Sequence, residues 1–382
     1  MFDVTLAVAA GDVDRRHCPV QLPLVGMLPA ADLSGVLVDD SGARTAWQIE
    51  RDGDQHRLWW IIDDLPAGQE RCYRFESVAP PSSGVEFKQS DHAVDISIHG
   101  QLFTTYRHEP NVPKPYLYPV IGPGGKRMTR GYSIEEIPGE TTDHKHHRSI
   151  WVGHGEVGGA DLWEEHGEPP YARTIHREFE VLESGPVFGR LRARNDWLRT
   201  DGSKVCEETR DLRVYALGPD LQLFDLEVVF RATEGPVHFG DTKEAGILSI
   251  RVATSMDGNK GGRIENSERG VTEKECWGKP AAWCDYSGVV EDAVVGFTVM
   301  DHPSAFRHPT HWHVRDYGLF TANCFGYKSF YQNESKDGSY DLPAGQDLRF
   351  FYRVYLHQGQ AAEAKSADRY QDFAKPPPVV GK

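Results

Sequence analysis

The stretch Leu348-Arg349-Phe350-Phe351-Tyr352-Arg353-Val354-Tyr355-Leu356 is aromatic, aliphatic or β-branched throughout, interrupted only by two arginines. Residues of this kind with a period of two fit a pleated, half-buried strand and not a helix. The same reading extends outward along the chain. Towards the C-terminal half it covers Phe179–Leu182, Gly189–Asn195, Val205–Val214 and Leu221–Phe230. Nearer the start it covers Val4–Ala9, Gly35–Val38, Ala46–Arg51, His56–Ile62, Glu70–Ser77 and Ala93–Ile98. Turn chemistry separates the strands, as at Asp52-Gly53-Asp54 and Leu65-Pro66-Ala67-Gly68. The phrase Asp-Leu-Pro-Ala-Gly-Gln occurs at 64–69 and again at 341–346, each time leading into a strand, which reads as one turn solution used twice. Ala79-Pro80-Pro81-Ser82-Ser83-Gly84 has the composition of a linker. Helix formers concentrate only between Gln360 and Phe373, ahead of Pro376-Pro377-Pro378. The expectation is an all-β protein. A small β-sandwich domain over 1–80 precedes a catalytic domain of large antiparallel sheets over 85–358, and a C-terminal helix and Pro-rich tail fill 359–382.

Composition narrows the function classes. The 382 residues carry 57 acidic and 42 basic side chains, a formal net charge of −15, which disfavours nucleic acid as a partner. No run approaches the ~18–20 apolar residues of a membrane span. Met1–Asp12 has no basic region ahead of its short apolar stretch, so it does not read as a secretory signal. The expected location is cytoplasmic, with the six scattered cysteines as reduced thiols, mostly small core residues.

The densest chemistry lies in Thr142-Asp143-His144-Lys145-His146-His147-Arg148-Ser149-Ile150-Trp151-Val152-Gly153-His154-Gly155, followed by Asp161, Trp163, Glu164 and Glu165. Histidine both gives and takes protons near neutrality and ligates metals. A second cluster, His311-Trp312-His313-Val314-Arg315-Asp316, repeats the H-x-H spacing. Two facing H-x-H pairs would suit a divalent metal, but Lys145, Arg148 and Arg315 among them oppose a cation. No cofactor is therefore assigned, and a divalent metal stays open. Asp241-Thr242-Lys243-Glu244 offers a base beside a cation, or else a solvated turn. Glu275, Trp277 and Lys279 mix an aromatic ring with charged groups, as in pockets that stack sugar rings and bind their hydroxyls; the alternative is a core tryptophan. Gly122-Pro123-Gly124-Gly125 with Lys126 and Arg130 matches no phosphate-binding fingerprint and reads as a loop lining a polar pocket.

Together these motifs resemble the PmoA-like family. The matching residues are Tyr118-Pro119, Gly122–Gly125, Thr129-Arg130, His146–Trp151 with Gly153-His154-Gly155, Gly159–Trp163, Asp241–Glu244, Glu275–Lys279 and Trp312–Gly318. Lys145 departs from that family's Asp-His-Pro-His-His pattern. The resemblance implies a β-supersandwich, similar to the galactose-mutarotase-like fold. It also implies a role in carbohydrate catabolism, functionally coupled to sugar oxidoreductases.

The expected activity is hydrolysis or elimination of a small carbohydrate, an oxidised glycoside included, or an epimerisation, by His/carboxylate acid–base catalysis. The alternative is a non-catalytic sugar-binding protein. Catalytic roles fall to His146, His147, His154, Glu244, His313 and Asp316. Substrate binding falls to Arg130, Arg148, Trp163, Asp241, Lys243, Glu275, Trp277 and Lys279. The two histidine clusters should face one pocket, and a neutral imidazole acting as base should give an activity loss on the acid side near pH ~6–7.

Overall fold

The computed structural model describes residues 4–24, 34–76, 78–82, 84–165 and 171–382. Nearly all of the regular structure is antiparallel strand, arranged in three large sheets. The strand Asp347–Gln358, which contains the stretch quoted first, lies in the middle of an eight-stranded central sheet. It pairs with Gln222–Arg231 on one side and Ala293–Asp301 on the other. Leu348, Phe350, Tyr352, Val354 and Leu356 enter the main core. Phe351 and Tyr355 project from the opposite face into a second cluster with Trp59, Phe188, Tyr215 and Phe373. Both faces are covered, which is why apolar residues occupy both sides of this strand.

The main core is closed by a second eight-stranded sheet, the site sheet. Its order is Trp312–Val314, Leu319–Ala322, Ala245–Arg251, Ile150–His154, Tyr116–Val120, Gln101–Arg107, Ala93–Ile98 and Val85–Gln89. Two large sheets stacked on one core make the expected all-β supersandwich. The N-terminal residues form one seven-stranded antiparallel sheet that curls about its own core of Leu6, Val20, Leu37, Trp60 and Ile62. Its first strand in space, Arg15–Leu24, carries Pro19 and Pro23. A strand lacking two amide donors belongs at a sheet edge, and its prolines hide it from pattern reading. Its last strand is Val379–Gly381, so the chain end returns to pair with Thr5–Ala9. The C-terminal helix is Ser366–Ala374, shorter than its composition suggests, because residues 361–365 are turns.

The repeated hexapeptide does build the same turn twice. The Gln69 N–H donates to the Pro66 carbonyl at 3.1 Å and the Gln346 N–H to that of Pro343 at 3.0 Å. Gly68 and Gly345 take φ of 76° and 74°, a conformation that favours glycine.

The order of layers is N-terminal sheet, central sheet, site sheet. Trp59 and Ile61 of the N-terminal sheet pack on the outer face of the central one. Beside them lies a charge network. Glu50, 1% exposed, accepts from Trp59 Nε1 at 2.9 Å and pairs with Arg190 at 3.0 Å and with Arg213. Arg190 and Arg192 share Asp52 and Asp211. Removing one member of a buried pair strands its partner's charge, at ~3–5 kcal/mol. Glu50→Gln should therefore lower the unfolding free energy by about 3 kcal/mol in urea denaturation. A loss under about 1 kcal/mol would show that the network does not hold the two sheets together.

Candidate functional site

The site sheet has two faces. Along Ile150–His154, Ile150 and Val152 enter the core, while Trp151 projects outward with Tyr116, Tyr118, Trp163 and Leu319. Along the neighbouring strand Leu248 and Ile250 enter the core. Alternation leaves Ser249 and Arg251 on the outer face, where the histidine loop packs.

Three rings stack above Trp151. His147 lies on Trp151 with centroids 5.2 Å apart and planes 19° apart. His144 stacks on His147 at 4.7 Å and on Tyr317 at 4.9 Å, each within 5° of parallel. Two guanidiniums, Arg130 and Arg251, are 0% exposed and share the half-exposed Asp143: Arg251 Nη2 donates to Asp143 Oδ1 at 2.8 Å, and Arg130 Nη1 donates to the same oxygen. Arg130 also donates to the carbonyls of Thr141 at 3.2 Å and His144 at 3.1 Å, which shapes the loop. Burial alone would raise the Asp143 carboxyl, but the Arg251 and Arg130 charges bring it below the ordinary range.

Arg251 Nη1 lies 3.1 Å from His147 Nδ1. A guanidinium only donates, so His147 Nδ1 accepts and Nε2 carries the proton. Burial, followed by the His146 and Arg251 charges, holds His147 well below the usual imidazole range. His147 is a neutral hydrogen-bond donor, not a base at Nε2. His146 points to Glu164, Nδ1 to Oε2 2.9 Å, beside Trp163, and burial lowers its pKa. Arg148 grips Glu165 with two bonds of 3.0 and 2.8 Å. The buried Lys114 amine stands 3.6 Å from the same carboxylate and donates to the Trp163 carbonyl at 2.7 Å; burial brings its pKa down to about 8.

The second cluster meets the first through Tyr317. The Arg251 and Arg315 guanidiniums lie over its ring at 5.1 and 5.5 Å. Burial pushes the Tyr317 hydroxyl up to about 12, with Glu244 and Asp143 among the charges felt there. Glu244 pairs with Lys243, both part-exposed. His313, on a strand paired with Leu319–Ala322, accepts from Trp277 Nε1 at 3.2 Å. Burial, then the Lys243 and Arg315 charges, brings His313 down to about 3. Segments about 160 residues apart thus share the outer face of one sheet.

Other expected site residues do not join this face. His154 enters the inter-sheet core with Ile150 and Val152, 4.7 Å from Phe325 and 5.7 Å from Phe239. Its Nδ1 accepts the Glu156 N–H at 3.1 Å, and burial brings its pKa down to about 3. It is a core residue, because strand alternation turns it away from Trp151. Asp241 anchors a loop, accepting from the N–H groups of Gly338 at 2.6 Å and Lys328 at 3.1 Å. Glu275 accepts the Val271 N–H at 2.9 Å within its own turn, and Lys279 is exposed. Asp316 packs against Gly258, while its N–H is held by Glu273, the partner of Arg315. Among the described residues, no three His, Cys, Asp or Glu side chains converge as a metal site would require.

Arg251, Tyr317, Glu165 and Asp257 were given no role in the expected site. An arginine on the polar side of the strand Ala245–Arg251 was a usable signal, and Tyr317 and Glu165 lay within quoted motifs. Asp257 gives none: it is buried, its Oδ1 lacks a hydrogen-bond partner, and burial pushes its carboxyl up to about 6 against the pull of Arg251.

The histidine shifts predict acid lability. His154 and His313 fall to about 3, His176 and His311 to about 4. Unfolded imidazoles titrate near ~6.5, so below that pH the unfolded chain binds more protons and stability falls with pH. The contribution is present above ~6.5 and lost progressively towards ~3–4, about 2 kcal/mol per fully buried histidine by pH ~5. The urea midpoint should fall steadily from pH 7 to 5, and His154→Phe should flatten the slope without altering ligand turnover. Burial holds His146, His147, His154 and His313 below the ordinary imidazole range, so a loss of activity through their protonation is expected on the acid side of pH ~6–7.

Residues 93–371 match the model of a family described as "Family of unknown function (DUF6807)". No PmoA-like family is identified, which corrects the resemblance drawn from motifs: short motifs rest on few residues, whereas the model is matched over most of the chain. No curated protein matches. Among solved structures, an alpha-mannosidase from Enterococcus faecalis V583 aligns with 8% identity and a TM-score of 0.39. The alignment covers 99% of this chain but only 46% of that protein, so the chain spans about half its length, a likeness too distant to carry function. No helix among the described residues is long and apolar enough to cross a membrane. The chain belongs to the family of unknown function (DUF6807).

Proposed function

We propose that the protein is an enzyme of sugar catabolism that performs acid–base chemistry on a glycoside or its oxidised derivative. The observation that carries this reading is the neutral His147 donor. Arg251 fixes its tautomer, and it lies among stacked rings, buried cations and the part-exposed Glu244. A carbonyl beside an acidic C–H needs a donor that develops no charge of its own, a base, and flat surfaces for the ring. In an elimination from a keto-glycoside, Glu244 would take the proton next to the carbonyl. His147 and Arg251 would stabilise the enolate oxygen. The glycosidic C–O bond would then break, its oxygen protonated by Tyr317, whose raised pKa keeps it in the acid form. Hydrolysis of a glycoside, or ring-opening epimerisation, would use the same groups. A sugar oxidoreductase is the functional partner that would supply a keto-glycoside.

Incubation with glycosides and 3-keto-glycosides, followed by chromatography of the products, tests the proposal. Glu244→Gln and His147→Gln should each cut turnover by ~10²–10⁴-fold. Glu244 is part-exposed, so its variant should fold normally; Cys276→Ser should retain turnover. Binding of sugars with no turnover, unaffected by Glu244→Gln, would identify a sugar-binding protein instead.

A further inference from the structure

The loop 144–148 has a second side. Its Lys145 and Arg148 project away from the ring stack into a cleft of about 640 Å³, shared with Tyr132, Tyr171, Arg173 and Glu165. Val112, Pro110 and Pro113 give it an apolar wall. The cleft is cationic, in a chain whose net charge is −15. Glu165 is the one carboxylate among its described lining residues, and it is already engaged by Arg148 with two hydrogen bonds and by Lys114 at 3.6 Å. Burial alone would raise the Glu165 carboxyl, yet the Arg148 bonds and the Lys114 charge hold it below the ordinary range, so it is ionised and fully committed. Lys145 is exposed, with Nζ 3.3 Å from the Tyr171 hydroxyl and 5.3 Å from that ring's centre. Arg173 is exposed and has no ion-pair partner among the described residues. Three cations, Lys145, Arg148 and Arg173, therefore line the cleft against one carboxylate, which the buried Lys114 also approaches.

We infer that this cleft binds the oxyanion of a small acidic carbohydrate, the carboxylate of a sugar acid or the phosphate of a sugar phosphate. Lys145 and Arg173 supply the uncommitted positive charge. A guanidinium and an ammonium beside aromatic rings suit an oxyanion attached to a ring whose apolar face can lie on Tyr132 or Tyr171. The charge surplus stands independently of the catalytic proposal; only the sugar portion of the ligand rests on it.

Titration calorimetry of the full chain tests the inference with glucuronate, glucose 6-phosphate, glucose, citrate and inorganic phosphate, each at low and physiological salt. At least one acidic sugar should bind about tenfold more tightly than glucose, and its affinity should fall with salt. The preference between glucuronate and glucose 6-phosphate identifies carboxylate or phosphate as the group held. Lys145→Gln and Arg173→Gln, both at exposed positions, should each weaken the acidic sugar several-fold and leave glucose unchanged, with unaltered melting temperatures. Citrate or inorganic phosphate binding as tightly as either acidic sugar would overturn the carbohydrate part. Equal affinity for glucose and both acidic sugars, or anion affinity unchanged in the two variants, would overturn the cleft assignment while leaving the Glu244 and His147 tests untouched.

Discussion

Arg251 is the residue on which the site is built. It ends a strand of the site sheet, is fully buried, and bridges Asp143 and His147 across the histidine loop. A buried guanidinium costs several kcal/mol in lost hydration unless neighbouring groups compensate it. Those neighbours are therefore held in place: Asp143 by charge, His147 by its lone pair, Tyr317 by its ring face. One desolvated cation thus fixes the loop's position, the imidazole's tautomer and the meeting of two distant segments.

The second guanidinium makes the arrangement unbalanced. Arg130 and Arg251 share Asp143, and Asp257 nearby resists ionisation because it is buried, with its Oδ1 lacking a hydrogen-bond partner. Positive charge predominates on this side of the loop, and again in the cleft on the other side. Clefts lined by one sign of charge focus the local field, so the potential at this loop differs in sign from that expected of the chain's net charge of −15.

The architecture keeps this chemistry apart from the structural charge networks. The N-terminal sheet covers the central sheet, on the far side of the molecule from the histidine loop, with the main core between them. A buried chain of Ser366, Thr298, His357 and Asp285 looks superficially like a catalytic relay. It joins the C-terminal helix to the central sheet and is fully enclosed, so it serves attachment.

The sequence by itself determined the fold class, because alternation, β-branched and aromatic enrichment, and glycine or proline turns are properties of neighbouring residues. Ala93–Ile98 was legible to the residue, and Leu348–Leu356 and its neighbour Leu221–Phe230 were legible to within a few positions, whereas its other neighbour, Ala293–Asp301, was not read as a strand. The histidine loop was legible as a site for the same reason: its chemistry is contiguous. Tertiary structure decided the rest. Whether His154 faces the ring stack or the core depends on which side of its strand meets the second sheet. That His147 accepts at Nδ1 and is left to donate from Nε2 depends on Arg251, 104 residues away. That Glu165 is committed while Arg173 is not depends on Lys114 and Arg148 converging on one carboxylate. Charge pairing, burial and tautomer are set by groups distant in the chain, and only the folded arrangement of sheets brings them within reach of one another.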